Sequence, residues 1–172
     1  GAGGSRSARE VLETLELFDP ESGTFAPAGT VATARHKHAA LAHGDRVLLI
    51  GGAAIPEENG HSRDSEWWSP QGIVPGPPMA LGRYKFLDSV VALPDGRSLV
   101  AGGGIHAELL DAGATAFHPL AGRIEAALAF ASATLLDDGR VLVVRGYDPG
   151  IRVSRQAWLV SATHASPTNT PD

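Results

Sequence analysis

Short apolar runs alternate with turns along the whole chain, and one pattern of runs occurs three times. The three segments read HAALAHGDRVLLIGG, SVVALPDGRSLVAGG and SATLLDDGRVLVVRG, and they start at His38, Ser89 and Ser132. Each has an apolar run, a central glycine with a basic residue shortly after it, a second apolar run and a closing glycine. Self-similarity of this kind is the signature of a repeat architecture.

Each copy predicts a pair of antiparallel strands. Asp95-Gly96 and Asp138-Gly139 are hairpin turn signals, because glycine adopts the positive φ that a tight turn needs. The apolar runs are almost continuous, which is typical of inner strands that are buried on both faces. The closing glycines, Gly51-Gly52 and Gly102-Gly103, are expected to stand where a Cβ would not fit.

A second pattern follows each glycine end and predicts a third and a fourth strand. An aromatic residue precedes a proline or a short turn, and a further apolar residue such as Phe25 follows. Because proline cannot donate to a ladder, the third strand should end at Asp19-Pro20 and its equivalents. The aromatic residues interpreted as one buried register, each on a third strand, are Phe18, Trp68, Phe117 and Trp158.

Sheets of four short strands are too small to bury their own faces, and stacking them radially as blades solves that problem. The predicted fold class is therefore all-β, with β-propeller blades of four antiparallel strands in an incomplete ring. The predicted segments are a half blade at 5–30, blades at 31–80 and 81–126, a partial blade at 127–162 and a polar tail at 163–172. We expect the ring to be completed by the rest of a longer chain or by a second copy.

The motif residues resemble those of the Kelch repeat, in a degenerate form of bacterial type. The best copy runs from Phe18-Asp19-Pro20 through Gly23-Thr24-Phe25 to Arg35 and Gly51-Gly52. Other copies depart from it, with His118-Pro119 in place of Asp-Pro and Arg145-Gly146 in place of Gly-Gly. The resemblance implies loops on one face that bind a protein or a carbohydrate, and a minority of members that are sugar-active enzymes.

Composition and motifs narrow the function further. Fourteen basic and 19 acidic residues give a formal charge of −5, which argues against nucleic acid as the partner. The absence of cysteine excludes disulfides, thiolate metal sites and the cysteine-crosslinked tyrosine of Kelch-type copper oxidases. No apolar stretch reaches the length of a membrane span.

No hydrolase, phosphate-loop or zinc motif occurs, so no catalytic residue and no cofactor is predicted. The compartment is not fixed, although an extracytoplasmic or secreted location is favoured.

Two basic segments that each open an inner strand are the first candidate binding residues. Arg35, His36 and His38 lie in one of them, where alternation places the two histidines on the same side of the strand. The two histidines could bind a metal ion there. We favour the other interpretation, in which this segment is the loop before the strand and Arg35 is structural. Arg83 and Tyr84 open the next inner strand. They would hold an anionic or sugar ligand, unless Arg83 is structural like Arg35.

The longest connection, Ala53–Asp64, is the second candidate, because propeller loops carry recognition. Its polar side chains include Glu57, Glu58, His61 and Arg63, and an ordinary solvated loop is the alternative. Trp67 is a candidate stacking platform for a sugar, whereas its neighbour Trp68 is assigned to the core.

These observations favour a non-catalytic binding platform that recognises a protein or a carbohydrate. A sugar-active propeller enzyme is the alternative hypothesis. A ring of arginine and glutamate side chains converging on the central channel would favour the enzyme.

Overall fold

The computed structural model describes residues 2–7, 10–54, 60–122, 128–144, 146–148 and 150–162. They form an all-β chain with a 3-10 turn at Leu87–Ser89. The strands are β1 Ser5–Ser7, β2 Glu10–Val11, β3 Thr14–Asp19, β4 Thr24–Thr30, β5 Ala39–His43, β6 Arg46–Ile50, β7 Ser65–Ser69, β8 Gly72–Pro75, β9 Val90–Ala92, β10 Ser98–Val100, β11 Glu108–Leu110, β12 Phe117–Pro119, β13 Ser132–Leu135, β14 Arg140–Val144 and β15 Ala157–Ser161.

The strands are arranged as small antiparallel sheets that follow one another along the chain. We call β3–β4 the N-terminal pair, β5–β8 the first sheet, β9–β12 the second sheet and β13–β15 the third sheet. Each strand pairs with its neighbours in sequence, so every sheet is a simple meander. The sequence did not predict the additional small hairpin formed by β1 and β2.

Successive sheets pack face to face, and the inner strands supply side chains to both sides. Leu48 of β6 packs toward the second sheet, in a cluster with Val100 and Leu110. Its neighbour Leu49 packs the opposite way, in a cluster with Leu15 of the N-terminal pair. A third cluster joins the second and third sheets. The predicted burial on both faces is confirmed for β6 and β10 but not for β5, in which buried and exposed residues alternate. The arrangement is that of stacked propeller blades.

The predicted hairpins and glycine contacts are also confirmed. β9 pairs with β10 and β13 with β14, across turns in which Gly96 has φ 85° and Gly139 has φ 80°. Gly51 has φ 64°, and a Cβ there would lie 2.8 Å from the carbonyl oxygen of Arg83. At Gly52, with φ 90°, a Cβ would lie 2.8 Å from the carbonyl oxygen of His36. These glycines let the chain leave a crowded strand end.

The predicted register of the four aromatic residues is wrong for two of them. Phe117 lies on β12, a fourth strand, directly opposite Leu110 of β11. The segment from Glu108 to Phe117 therefore matches that from Glu16 to Phe25, with Leu110 in the place of Phe18. The predicted register failed because Phe117-His118-Pro119 imitates the aromatic residue and proline of a third strand, although it follows the turn in which the Asp111 carboxylate accepts hydrogen bonds from Thr115.

Trp158 is also displaced from the predicted register. It pairs with Val143, whereas Trp68 pairs with Val47, two residues further from the closing glycine of its strand. By this pairing Trp158 occupies the position that Glu66 takes in the first sheet and Glu108 in the second. Spacing from the glycine end does not reveal this shift, because the connection before each third strand differs in length.

Burial of the aromatic side chains also differs from the prediction. Phe18 is 52% exposed, and Trp68 and Phe117 are half-buried. Trp67, the predicted sugar platform, is only 5% exposed and packs in the core between the first and second sheets. Adjacent strand residues point to opposite faces, and here it is Trp67 that points to the fully covered one. The assignment of Trp67 to the surface is therefore wrong, whereas Trp68 packs half-buried against the cluster that contains Leu15 and Leu49.

Candidate functional site

The first strand of each sheet begins, and its second strand ends, at the same end of the stack, which we call the upper face. Backbone hydrogen bonds connect successive sheets there. The amide of Gly52 donates to the carbonyl oxygen of Arg83 over 2.8 Å, and that of Gly103 to Leu128 over 3.1 Å. The glycine end of one sheet is thus tied to the start of the next, which holds the upper-face loops in fixed relative positions.

Three residues in equivalent positions on the upper face adopt left-handed backbone conformations without being glycine. Lys37 has φ 53°, Lys85 has φ 56° and Phe130 has φ 55°. The amide of Lys85 donates to the carbonyl oxygen of Lys37, and the amide of Phe130 donates to that of Lys85. Non-glycine residues rarely adopt this conformation, and where they do they cluster at functional sites.

Arg35 and Arg83 are buried, and their side chains are paired within the scaffold. They are 2% and 0% exposed. Arg35 pairs with Glu66 and donates to the carbonyl oxygen of Gly51. Arg83 pairs with Glu108 at 2.8 Å in the equivalent position. Their guanidinium groups are therefore used in joining strand ends within a sheet, as the structural alternative supposed.

The third sheet has apolar residues where the other two have this ion pair. Leu128 stands in the place of Arg83, and Trp158 in the place of Glu108. Both belong to the cluster between the second and third sheets. A buried ion pair and an apolar pair are interchangeable solutions at such a site, because desolvation offsets much of the attraction between the charges.

Tyr84 is the centre of a polar cluster on the upper face. Its ring is 7% exposed, and Nζ of Lys37 donates to its hydroxyl oxygen over 2.6 Å. His61 stacks on it, with ring centroids 4.7 Å apart and an angle of 20° between the planes. The buried ring of His36 is 5.9 Å from it. The fold therefore brings together three predicted site residues, Tyr84, His36 and His61, from three separate segments.

Lys85 extends this cluster toward the third sheet. Its Nζ lies 4.9 Å from the ring centre of Tyr84, 5.7 Å from that of Phe130 and 5.6 Å from that of Tyr147. These distances suit cation–π attraction. The half-buried ammonium is thus surrounded by three aromatic rings, which leaves it able to attract an anionic group of a ligand.

His38 lies beside this cluster but is held in the neutral form. Burial, together with the charge of Arg35 and the neighbouring His36, lowers the pKa of His38 to about 4. Within the described part of the chain, its Nδ1 has no hydrogen-bond partner. At neutral pH the ring therefore adds no positive charge to the upper face.

The connection between β14 and β15 forms a short finger on the upper face. Tyr147 bridges Ala129 on one side and Val153 on the other. The tip is closed by Asp148, which accepts hydrogen bonds from the amide and Nε of Arg152, each over 3.0 Å. Ile151 at the tip has φ 61° and is 77% exposed.

The remaining predicted site residues lie apart from the Tyr84 cluster or outside the described residues. Glu57 and Glu58 belong to residues 55–59, which are not described. The side chain of Arg63 is exposed, while its backbone carbonyl accepts from Met79. Trp67 is covered by the guanidinium of Arg46, 4.3 Å from its ring centre.

The described residues contain no group of three or more His, Cys, Asp or Glu side chains placed to hold a metal ion. Nor do they include a helix long and apolar enough to cross a membrane.

Comparison with known proteins establishes the fold alone. No known protein family matches the sequence, and no curated protein is similar enough to count as a relative. Among solved structures, one reported as the structure of YjhT matches with a TM-score of 0.68 and 15% sequence identity. The match covers 90% of this chain and 51% of that one, so this chain spans about half the length of YjhT. A likeness of this extent is compatible with a propeller-like fold.

The sequence analysis missed Lys37, Lys85, Phe130 and Tyr147 as site residues. A signal for the first three exists, since each stands two residues after Arg35, Arg83 or Leu128. That position acquires meaning only when the left-handed backbone is seen. The ion-pair partners Glu66 and Glu108 were missed as well, although each follows its arginine at a similar separation, 31 and 25 residues.

Proposed function

We propose that this chain is a non-catalytic binding platform of the Kelch-propeller type, with its ligand site on the upper face. The observation that carries the proposal is the cluster of Lys37, His61 and Lys85 around the ring of Tyr84. Flat apolar faces combined with positive charge suit a protein or carbohydrate ligand. The backbone is left-handed at Lys37 and Lys85, and hydrogen bonds between the sheets hold it in place. These bonds support a site that is rigid before a ligand binds.

The location of the arginines favours binding over catalysis. A sugar-active enzyme of this type would need arginine and glutamate side chains that converge on the central channel. Arg35 and Arg83 are instead buried inside their sheets, each saturated by a glutamate and by backbone carbonyls. The charged groups that contact the Tyr84 ring are Lys37 and Lys85, and lysines act as point charges for ligand capture.

A binding survey with matched variants tests this proposal. The chain is applied to an oligosaccharide array and to a phage-displayed peptide library, and any ligand found is measured by calorimetry. Lys37→Asn should weaken that ligand at least tenfold, because it removes the ammonium that holds Tyr84 while asparagine tolerates positive φ. Arg140→Ala removes an equal charge at the opposite end of the stack and should leave affinity unchanged. A ligand equally affected by both variants, or no ligand at all, would refute the proposal.

A further inference from the structure

An exposed apolar patch lies beside Lys85 on the upper face. Phe130 is 48% exposed, and Val153 is 74% exposed. Tyr147 connects them, because its ring is 5.7 Å from that of Phe130 and its backbone bridges Val153. Residues directly opposite each other in an antiparallel pair point to the same side, so Tyr147 and Val153 present one surface.

The patch contains two apolar side chains that are exposed although their backbone is strained. Phe130 and Ile151 have φ of 55° and 61°. A positive φ is unfavourable for L-residues, and most of all for a β-branched one such as Ile151. The finger holds it there through Asp148, whose carbonyl oxygen accepts from the Ile151 amide over 2.8 Å. Apolar side chains that are exposed to water on a strained backbone are typical of a binding surface.

Positive charge surrounds this patch. Lys85 Nζ is within 6 Å of both the Phe130 and the Tyr147 ring centres. Arg152 on the finger is exposed and is paired with Asp148, and Arg155 just beyond the finger is exposed as well. Among the described residues, the charged side chains that border the apolar surface are thus Lys85, Arg155 and the Arg152–Asp148 pair, so basic groups outnumber acidic ones there although the whole chain carries a formal charge of −5. A partner that complements this surface carries acidic groups next to apolar ones.

We infer that this patch docks an acidic peptide segment of a partner protein, with one or more aliphatic or aromatic side chains as anchors. The inference rests on the proposed binding function and selects the protein ligand over the carbohydrate. Ile151 and Val153 are the reason, because aliphatic groups supply neither the stacking face nor the hydrogen bonds by which sugars are held. They gain free energy when apolar side chains cover them. Phe130 is the central aromatic anchor, and Lys85 pairs with a carboxylate of the segment.

Selection from a phage-displayed library of random dodecapeptides on the intact chain tests this inference. Enriched peptides should combine Asp or Glu with Phe, Leu or Ile. A selected peptide, synthesised and measured by calorimetry, should bind at least tenfold more weakly to Phe130→Asn and to Ile151→Asn. Its affinity should fall several-fold on Lys85→Asn, and the salt dependence of binding should decrease. Asparagine tolerates the left-handed backbone at all three positions, so these variants retain the fold.

The controls separate failure of this inference from failure of the proposed function. Val74→Asn removes a similarly exposed apolar side chain, 56% exposed on β8, and should leave peptide binding unchanged. An oligosaccharide whose binding depends on Lys37 but not on Phe130 would overturn the inference and leave the proposed function standing. Peptides without acidic residues, or peptides indifferent to Phe130→Asn, would also overturn it. Absence of any peptide or sugar ligand would overturn both.

Discussion

Arg83 Nη2 donates to Oε1 of Glu108 over 2.8 Å, and both side chains are completely buried. The same carboxylate accepts the backbone amides of Ala80 and Leu81 over 2.6 and 3.3 Å. One ion pair therefore fixes the start of β11, the segment that opens the second sheet and the loop that leads into it. Arg35 and Glu66 repeat the arrangement in the first sheet, where the amide of Ala32 completes it. The upper-face loops owe their positions to these two pairs.

Removing both members of the second pair should cost less than the sum of the two single losses. Arg83→Met leaves a buried carboxylate without its cation and should lower the free energy of unfolding by about 3–5 kcal/mol. Glu108→Gln should also destabilise. In the double variant the losses should fall short of additivity by at least about 1 kcal/mol, since each single change already breaks the pair. Urea unfolding of the four proteins measures this, and strictly additive losses would contradict it.

Gly51 and Gly44 form a matched pair that separates steric crowding from backbone preference. Their φ angles are 64° and 61°, but a Cβ at Gly51 would lie 2.8 Å from the carbonyl oxygen of Arg83, whereas nothing lies within 4 Å at Gly44. Gly44→Ala should cost about 1–2 kcal/mol for the left-handed backbone alone. Gly51→Ala should cost a further 1–3 kcal/mol or so from overpacking. Equal losses of stability for the two variants in thermal unfolding would show that the sheets move apart at Gly51 to accommodate the added Cβ.

The two aromatic side chains whose burial was mispredicted should respond differently to truncation. Trp67→Ala empties a core position between two sheets and should cost about 3–5 kcal/mol. Phe18→Ala removes a side chain that is 52% exposed and packs mainly on Phe25, so it should cost about 1 kcal/mol or less. Chemical unfolding of both variants provides the comparison. A larger loss for Phe18→Ala would contradict the burial described above.

His38 should make the free energy of unfolding dependent on pH. Its pKa is lowered from 6.5 to about 4 in the folded chain, so the unfolded chain binds the proton more readily. Its contribution to stability is complete above pH 6.5 and is lost as the pH falls toward 4. Between pH 7 and 4.5 the parent chain should lose about 2.5 kcal/mol more than His38→Gln does. All groups other than His38 titrate in both the parent chain and His38→Gln. If stability falls equally with pH in the two proteins, His38 is not the source of the pH dependence.

Much of the architecture could be read from local patterns. The hairpins at Asp95-Gly96 and Asp138-Gly139 and the crowded glycine ends depend on backbone conformations that particular residues encode. The alternation of Leu48 and Leu49 between two packing interfaces follows from a strand that is apolar on both faces. The site was only partly predicted. Tyr84, His36 and His61 were singled out, but the sequence contains no sign that His61 stacks on a tyrosine in the next sheet.

By itself, the sequence determined that the chain folds as repeated small antiparallel sheets, because turn chemistry and apolar runs act over neighbouring residues. The tertiary structure alone decided which side of each strand is covered. Trp67 is buried and Phe18 exposed according to what packs on them, and that partner is supplied by another sheet. The tertiary structure also decided that Arg83 serves the scaffold while Lys85 reaches the upper face. Only Tyr84 lies between them in the chain, and the left-handed backbone at Lys85 sends their side chains to different environments.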